Sequence, residues 1–543
     1  MGQLRKANDD KAGGMGRSYQ PIRASRGSRL TCRGWSQEAA LRMLMNSLDQ
    51  EVAEQPRELI ACGATRKVLR DWDCYHATVK ALEALENGET LFVQSGKPAA
   101  VHETSDDAPR VLLVNSHLAV RFRAGDTAHE REPLGLAMPS QAAAASWTYV
   151  GTQGELPTAF QTLDGVSRKH FGGSLAGKLI VSGGMGAAGG AFSLAAGLLG
   201  AAFLGVEVDE ERIKRRIRAG YCDYCVNTPD EALRILKIAV RQKRAVSVGL
   251  VGNCADVIPE LASRGVVPNI LTDQTSAHDL LMGYIPSGLN AEEAHTLRRE
   301  NPKEYLRRSR DSIVRHFSGM LALQKFGSVA FEFGNNIRAA ACDCGIQETF
   351  SIPDYAEAYL QPLLSKGLTP VRWVALSGAP EDIRRFDDLA LELFPVNDIL
   401  PRWVPLARKY LKFQGLPARV CWMGPEKRIV MAQHMNRLVA QGAIKAPIAI
   451  ALDQAASRSE ASFHAESEAR KDKSDATSRL LVPDALLDKA SGANWVSLES
   501  LADHYQATVV LVADGTSKAA KAIPRILKND YAVAIARLGT AGP

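Results

Sequence analysis

A glycine-rich loop in the middle of the chain has the spacing of a dinucleotide-binding site. It follows an apolar run, Leu179–Ser182, precedes an Ala/Leu-rich helical segment, and contains the pattern Gly184-x-Gly186-x-x-Gly189. In such loops the first glycine permits a tight turn and the second lets the backbone approach a pyrophosphate. The third lets the helix pack closely on the strand. The pattern therefore predicts that phosphates bind at the amino end of this helix.

An acidic residue lies at the position where a dinucleotide ribose is bound. The next predicted strand ends at Glu207, about 20 residues after the loop, where a carboxylate can accept hydrogen bonds from ribose hydroxyls. An acid at this position favours NAD over NADP, although Arg212 is near enough to weaken the preference. The loop alone would also suit a dehydrogenase.

Two cysteine pairs have the spacing of metal ligands but lack the partners that a metal needs. Cys222-x-x-Cys225 and Cys342-x-Cys344 have neither a second CxxC pair nor adjacent histidines. The nine cysteines are scattered, as is typical of reduced thiols in a cytoplasmic protein. We therefore expect no metal site and a cytoplasmic location.

The segments that must position these residues alternate between strands and helices. Strands are predicted at Leu179–Ser182, Gly205–Val208, Ala245–Val251, Ile270–Thr272 and Val329–Phe333, and helices at Ala191–Phe203, Pro229–Gln242, Ile258–Arg264, Ala291–Glu300 and Lys303–Lys325. This alternation predicts an α/β fold with a doubly wound, mostly parallel sheet. Before it, residues 41–87 have a helical pattern, and strands are predicted at 90–93 and 111–114. After it, apolar runs at 371–376, 448–451 and 509–512 indicate a second mixed region, and the polar segment 453–479 is predicted to be a loop.

Composition and charge exclude several classes of protein. The net charge is +6, and basic residues are concentrated in residues 1–33, where only Asp9 and Asp10 oppose them. That segment lacks an apolar core, which excludes a secretory signal, and it has too few aromatic residues for a nucleic-acid-binding tail. We expect a solvated extension. No run reaches about 18 uninterrupted apolar residues, so no membrane span is expected.

Several longer strings resemble the urocanase family, whose enzyme hydrates urocanate. The strings are Arg42–Glu54, Thr272–His278, Phe333–Arg338, Phe413–Trp422, Phe171–Gly173 and Arg372–Gly378. The resemblance runs from about residue 19 to residue 516. It implies an NAD-binding, Rossmann-type domain inserted into a mixed α/β core domain that is built from both ends of the chain. The corresponding boundaries are residues 1–33 for the extension, 34–138 and 352–543 for the core domain, and 139–351 for the NAD-binding domain.

The resemblance also implies an unusual use of the cofactor. In this family NAD⁺ stays bound and acts as an electrophile on an imidazolyl-acrylate, which water then hydrates to an imidazolone-propionate-type product. A homodimer is implied as well. The family's cofactor positions fall on Gly63, Ala64, Gln141, Ala187, Ala188, Gly189, Glu207, Arg212, Asn253, Cys254, Gln274, Thr275, Ser276, Ala277, His278, Tyr284, Ile285 and Phe333.

Three residues are candidates for the chemistry itself. The family's active-site cysteine falls on Cys421, although a buried packing thiol is the alternative. His278 is either a proton carrier or a clamp on the cofactor. Arg372 is a candidate for binding the substrate carboxylate, because a planar guanidinium suits that anion, with a structural ion pair as the alternative.

The departures from the family pattern concentrate around the ligand. Cys62 and Phe333 stand where the family has tyrosines, and Leu452 stands where it has an arginine. Residues 139–141, 187–189 and 454 also differ, and the short segment 499–504 replaces a glycine-rich stretch.

Three hypotheses follow from these departures. The protein hydrates a ring-modified urocanate (thio-, S-methyl- or N-methyl-), for which Cys62, Phe333 and Leu452 form a less polar pocket; or it hydrates urocanate itself; or it is a non-catalytic NAD-binding relative. The retained strings around Cys421 and His278 argue against the last, and we favour the first.

Overall fold

The computed structural model describes residues 20–63, 65–116, 138, 140, 143–364, 366–396, 399–453, 481–501 and 504–529. Ala64, Gln141, Gln454 and almost all of the predicted loop 453–479 lie outside the described residues. Among the described residues, no helix is both long enough and apolar enough to cross a membrane.

The strands, in chain order, are β1 (Ile60–Cys62), β2 (Arg66–Lys67), β3 (Glu89–Gln94), β4 (Lys97–Glu103), β5 (Val111–Ser116), β6 (Leu179–Gly183), β7 (Ala202–Glu207), β8 (Tyr224–Val226), β9 (Val246–Val251), β10 (Ile270–Asp273), β11 (Val329–Ala330), β12 (Thr369–Ala375), β13 (Ala418–Met423), β14 (Ile448–Asp453), β15 (Trp495–Leu501) and β16 (His504–Ala513).

The α-helices are α1 (Trp35–Ser47), α2 (Trp72–Ala84), α3 (Thr152–His170), α4 (Ala187–Leu198), α5 (Glu210–Ala219), α6 (Pro229–Arg241), α7 (Cys254–Ser263), α8 (Ala291–Glu300), α9 (Pro302–Lys325), α10 (Ile337–Asp343), α11 (Gln361–Leu364), α12 (Pro380–Leu393), α13 (Ile399–Tyr410), α14 (Pro425–Ala440), α15 (Leu481–Ser491) and α16 (Ser517–Lys528). A π-helical turn, Ala356–Leu360, precedes α11.

The predicted parallel sheet is present, with strand order β11-β10-β6-β7-β9-β8. All of its strand pairs are parallel. Its central strands are buried along almost their whole length, as expected where helices cover both faces. The strand order reverses beside β6, because the chain proceeds from β6 to β7 on one side and later returns to β10 on the other. A crevice for a ligand is expected at that point, beyond the carboxyl ends of the strands.

A second, mixed sheet combines strands from both ends of the chain, in the order β13-β12-β14-β16-β15-β5-β3-β4. Strand β5, which precedes the parallel sheet in sequence, pairs with β15, which follows it. The parallel sheet is therefore an insertion in the chain that builds the mixed sheet. The predicted fold class, an α/β Rossmann-type unit within a mixed α/β core, is confirmed.

Residues on neighbouring strands of the mixed sheet share faces in the way that their register dictates. Val371 on β12 lies directly opposite Cys421 on β13 and Leu452 on β14, so these three side chains point to the same face. They belong to a core that includes Phe386 of α12, among other helical residues. Side chains alternate along a strand, so Arg372 points to the opposite face.

Two predictions about the amino-terminal region are wrong. Residues 20–33 do not form a solvated extension, because Gly27 N donates to the carbonyl of Ser377 and Arg26 Nη2 donates to the carbonyl of Gly415. Buried Arg42 also donates to the carbonyls of Gly27 and Arg29, which holds this segment on the core. The helical pattern of residues 41–87 is interrupted by the antiparallel β1–β2 hairpin.

Candidate functional site

An open cleft of about 560 Å³ lies beyond the carboxyl ends of the parallel strands. Most of its lining residues lie at or after the ends of β6, β7, β9 and β10, and two, Glu54 and Gly63, come from the amino-terminal region. The residues that line it are Glu54, Gly63, Gly184, Gly186, Val206, Glu207, Val208, Arg212, Gly252, Asn253, Cys254, Gln274, Thr275, Ser276, Gly283, Tyr284 and Ile285. The cleft therefore occupies the position at which a sheet of this topology binds a dinucleotide.

The glycine loop has the geometry that its sequence predicts. Gly184 has φ of +76°, and a Cβ there would lie 2.7 Å from the carbonyl oxygen of Gln274. A Cβ on Gly189 would overlap the carbonyl oxygen of Gly184, so this glycine lets α4 approach the loop. Ala187 and Ala188 form the first turn of α4, half-buried, beside the cleft. The loop can present backbone N–H groups and the helix amino end to a phosphate.

Glu207 is held in place at the end of β7. Its Oε2 accepts from the backbone N–H of Met185 at 2.8 Å, and its Oε1 accepts from that of Asp209 at 3.1 Å. Arg212 lies 3.6 Å from Glu207 and 3.7 Å from the Asp209 carboxylate. The attraction of Glu207 raises the pKa of Arg212, so this guanidinium stays charged and engaged with acids. Each carboxylate oxygen has two lone pairs, and Glu207 retains acceptor capacity for a ribose hydroxyl.

A network between the domains supports the opposite wall of the cleft. Glu54, which lines the cleft, pairs with buried Arg216 at 3.0 Å. Arg216 also donates to the Met185 carbonyl at 3.0 Å and to Thr152 Oγ1 at 2.7 Å. Gly190 leaves the space for this side chain, since a Cβ there would lie 2.6 Å from Arg216 Cδ.

A buried polar cluster lies behind the loop that follows β10. Asp273 accepts hydrogen bonds from Thr275 Oγ1 and Asn335 Nδ2, and its Oδ1 lies 3.5 Å from His316 Nε2. The other nitrogen of His316 lies 3.4 Å from the hydroxyl of Tyr284. Burial lowers the pKa of His316, which favours the neutral ring. The cluster thus positions two residues that line the cleft, Thr275 and Tyr284.

Cys254 joins the Asp273–His316 pair to form a group of metal-ligand type. The three potential ligand atoms lie within 4.8 Å of one another. Burial raises the pKa of the Cys254 thiol, and the Asp273 carboxylate raises it further, so the thiol is held protonated. Metal binding requires the thiolate, and Asp273 Oδ2 already accepts three hydrogen bonds, from Thr275 and Asn335. We interpret the group as a structural hydrogen-bond network.

The rim of the cleft brings together two predicted residues, Cys62 and His278, and one that the sequence did not reveal, Arg66. Cys62 and Arg66 are partners in the β1–β2 hairpin, whose turn contains Gly63 with φ of +63°. Arg66 Nη1 donates to Cys62 Sγ at 3.7 Å, and Arg66 Nη2 lies 3.5 Å from His278 Nε2. Burial raises the pKa of the Cys62 thiol to about 11, so it is neutral at pH 7.

The remaining candidates are not among the residues that line the cleft. Cys421 is fully buried on β13, and burial raises the pKa of its thiol well above the ordinary value. Leu452 packs on the same sheet face. Arg372 lies on the other face, where its Nη1 donates to the carbonyl of Thr148. Phe333 packs in an aromatic group, with its ring centroid 4.5 Å from Phe192.

Ala277 is buried beside Ser276, and Ala64 and Gln141 lie outside the described residues. The sequence analysis missed Glu54, Arg66 and Arg216. Glu54 ends the string Arg42–Glu54, which offered a signal, whereas no motif marked Arg66, because its short hairpin was not predicted.

Three family models match consecutive parts of the chain. The urocanase N-terminal domain matches residues 22–148, the urocanase Rossmann-like domain residues 151–359, and the urocanase C-terminal domain residues 362–543. The Rossmann-like match contains every strand of the parallel sheet and most residues that line the cleft.

Proposed function

The chain belongs to the urocanase family, and from this premise we propose that it is an NAD⁺-dependent hydratase that adds water to an imidazolyl-acrylate. The observation that carries the proposal is the cleft at the reversal of strand order, with the glycine loop, Glu207 and the Gln274–Ser276 loop around it. A Rossmann-like site alone would also suit a dehydrogenase, but the family match extends over the whole core domain as well.

The orientation of the cofactor follows from the strand order. Glu207 lies at the end of β7, so the adenosine half of NAD⁺ would lie on the β7–β9 side of β6. The nicotinamide half would then extend over β10, toward Ser276 and Gly63. When bound, NAD⁺ would supply an electrophilic ring to the conjugated substrate.

The residues at the nicotinamide end of the cleft can bind and transfer protons although none of them forms a thiolate. Cys62 is neutral, and burial also raises the pKa of Tyr149 well above its ordinary value. His278 lies at the rim, where we propose that it carries a proton between water and the substrate. A clamp on the cofactor is the alternative role for His278.

We further propose that the preferred substrate is a urocanate that carries a substituent on the ring. Of the three exchanges that motivate this, Cys62 for tyrosine lies at the rim of the cleft, next to Gly63. Phe333 and Leu452 lie within apolar packing, so they bear on the pocket less directly. A smaller, less polar residue at 62 removes a hydroxyl and leaves room for a sulfur or methyl group.

Side-by-side kinetics with urocanate and its 2-thio, S-methyl and N-methyl forms test this proposal, with turnover followed by loss of ultraviolet absorbance. We expect a ring-substituted form to have the highest kcat/KM, by about 10²-fold. An unpaired buried polar group costs about 1–3 kcal/mol, and each buried methyl-sized group contributes about 0.8 kcal/mol. The Cys62→Tyr variant, which restores the family residue, should move the preference toward urocanate.

Two other results would favour the alternatives. The highest kcat/KM for urocanate itself would identify an ordinary urocanate hydratase. Retained NAD⁺ without turnover of any of the four compounds would favour a non-catalytic NAD-binding protein.

A further inference from the structure

We propose that Glu54 binds a hydroxyl group of the ribose that carries the nicotinamide, an inference that rests on the proposed function. Glu54 lines the cleft, and its side chain is only 8% exposed. It is not among the cofactor positions that the family resemblance implies. The inference adds a second carboxylate to the cofactor site, besides Glu207 at the end of β7.

Glu54 enters the cleft from the amino-terminal wall and faces the glycine loop. Its backbone N–H donates to the carbonyl of Ala61 at 2.9 Å, which fixes it to β1, the strand that leads into Gly63. Its Oε1 lies 3.9 Å from the position of a Cβ on Gly186, the second glycine of the loop. The Glu54 carboxylate therefore lies across from the place where the phosphates are expected, on the wall that includes Gly63.

The carboxylate is held in this position by two arginines of α5. Arg216 Nη2 donates to Glu54 Oε1 at 3.0 Å, while the same guanidinium donates to the carbonyl of Met185 in the glycine loop. Arg215 donates to the backbone carbonyls of Ala53 at 2.7 Å and of Glu54 at 3.4 Å. Glu54 and the glycine loop are thus fixed to each other before a ligand binds, so little conformational entropy is lost on binding.

The chemistry of this position selects a hydroxyl and not a phosphate. A carboxylate and a phosphate diester are both anions that only accept hydrogen bonds, so they repel each other. A ribose hydroxyl donates a hydrogen bond, and a carboxylate has about four acceptor sites, so the ion pair with Arg216 leaves capacity for it. A hydrogen bond to an ionised acceptor is also roughly twice as strong as one between neutral groups.

NAD⁺ contains two riboses, and the residues that line the cleft include two carboxylates. Glu207 is the predicted partner of the adenosine ribose. Glu54 shares its wall with Gly63, toward which the nicotinamide half would extend, and so it would bind the other ribose. Glu207, and to a lesser extent Glu54, raises the pKa of Arg212, so Glu54 also interacts with the adenosine end. The adenosine ribose is therefore the alternative partner, and the test separates the two.

The test compares NAD⁺ with analogues that lack one ribose hydroxyl. The probes are NAD⁺ with a 2′- or 3′-deoxyribose on the nicotinamide side, and NAD⁺ with the same two changes on the adenosine side. Each analogue competes with NAD⁺ for the purified protein until exchange is complete, and mass spectrometry after denaturation gives the ratio of the two bound nucleotides. Both nucleotides bind the same protein sample, so a change in protein stability does not alter this ratio.

We expect the unmodified protein to prefer NAD⁺ by about 10- to 100-fold over at least one analogue that is deoxygenated on the nicotinamide side. Glu54→Gln, which replaces an ionised acceptor with a neutral one, should reduce this preference by about 5- to 10-fold. It should leave the preference over the adenosine-side analogues unchanged. Glu207→Gln should have the opposite pattern, with a reduced preference over the adenosine-side analogues alone.

Two further variants control for position and for charge. Glu58→Gln changes an exposed acid of the same segment that is not among the residues lining the cleft, and it should alter neither preference. Glu54→Asp keeps the charge but shortens the side chain, so it should also reduce the preference for the nicotinamide-side hydroxyl. This variant carries the test if a melting curve shows that Glu54→Gln has not folded.

The inference is overturned if the unmodified protein has no preference for either nicotinamide-side hydroxyl. It is also overturned if Glu54→Gln leaves every preference unchanged, because Glu54 would then act only through Arg216 and the glycine loop. A change confined to the adenosine-side analogues would contradict it too, and would assign Glu54 to the adenosine ribose.

The same experiment separates this inference from the proposed function. If the unmodified protein neither contains nor binds NAD⁺, the proposed function and the inference fail together. If the preferences are as expected but none of the four acrylates is hydrated, the proposed function is refuted and the role of Glu54 in cofactor binding stands.

Discussion

The environment of Cys421 determines what role its thiol can have. The side chain is fully buried near the Arg419–Asp387 ion pair, and burial raises the pKa of its thiol. Burial therefore disfavours the thiolate form of Cys421 near pH 7. A neutral thiol can contribute to the reaction by position and hydrogen bonding, or it can serve only to pack the sheet.

We expect Cys421→Ala to lower turnover by at least about 10²-fold with an unchanged NAD⁺ content, the scale for one positioned catalytic group. The pH–rate profile of the unmodified protein should show no thiol ionisation between about pH 6 and pH 9. Turnover and melting temperature are measured together. Near-normal turnover with a loss of about 1–2 kcal/mol in the free energy of unfolding would show that Cys421 is only a packing residue.

Also at the scale of single residues, sequence spacing predicted the part of the site at the parallel strands better than the part that comes from the β1–β2 hairpin. Glu207, Asn253 and Gln274–Ser276 line the cleft because each follows a parallel strand, and such positions can be identified from strand–loop–helix patterns. Arg66 could not be found in this way, since its hairpin approaches the cleft from a distant part of the chain. The separation of Cys421 from Arg372 could not be predicted either, because it depends on the register that places Cys421 opposite Val371, and that register is set by tertiary pairing.

Among the elements, the β6–loop–α4 unit depends most closely on single residues. Gly184, in the loop, has a positive φ and lies against the backbone of Gln274, whereas Gly197, in α4, has no atom within 4 Å of the position of its missing Cβ. These two glycines form a matched pair for testing the loop.

We expect Gly184→Ala to lower the free energy of unfolding by about 1–3 kcal/mol and to reduce the NAD⁺ content, because alanine strains at this φ and pushes the loop from Gln274. Gly197→Ala should instead raise stability by up to about 1 kcal/mol, since alanine favours a helix interior. Chemical denaturation and cofactor analysis measure both effects. A Gly184→Ala protein with full NAD⁺ content would mean that this loop does not carry the cofactor.

Long periodic elements were predicted well, and short ones were not. The pattern at 303–325 corresponds to α9, and the apolar runs at 245–251 and 448–451 correspond to β9 and β14. The two- and three-residue strands β2 and β8 have no room for a recognisable period. Their pairing depends on tertiary contacts, which the local sequence does not encode.

At the scale of the whole molecule, the cleft is lined by parts of the chain that are far apart in sequence. Glu54 and Gly63 come from the amino-terminal region, and the other residues that line the cleft come from the inserted sheet. A ligand that fills the cleft contacts both parts in the folded state only. Its binding free energy therefore adds to the free energy of unfolding.

We therefore expect the purified protein to contain about one NAD⁺ per chain, and removal of NAD⁺ to lower its melting temperature. A ligand at 100 times its Kd contributes about 2.7 kcal/mol, which for a protein of this size corresponds to a shift of roughly 2–3 °C. The supernatant of denatured protein gives the stoichiometry, and the stripped protein is then titrated with NAD⁺ and with NADP⁺. NAD⁺ should restore the melting temperature and NADP⁺ should not, because the carboxylates of Glu207 and Asp209 repel a 2′-phosphate and already engage Arg212.

A larger shift with NADP⁺ would refute the role of Glu207 but not that of the glycine loop. If neither nucleotide raises the melting temperature, the cleft is not a dinucleotide site, and the proposed chemistry fails with it.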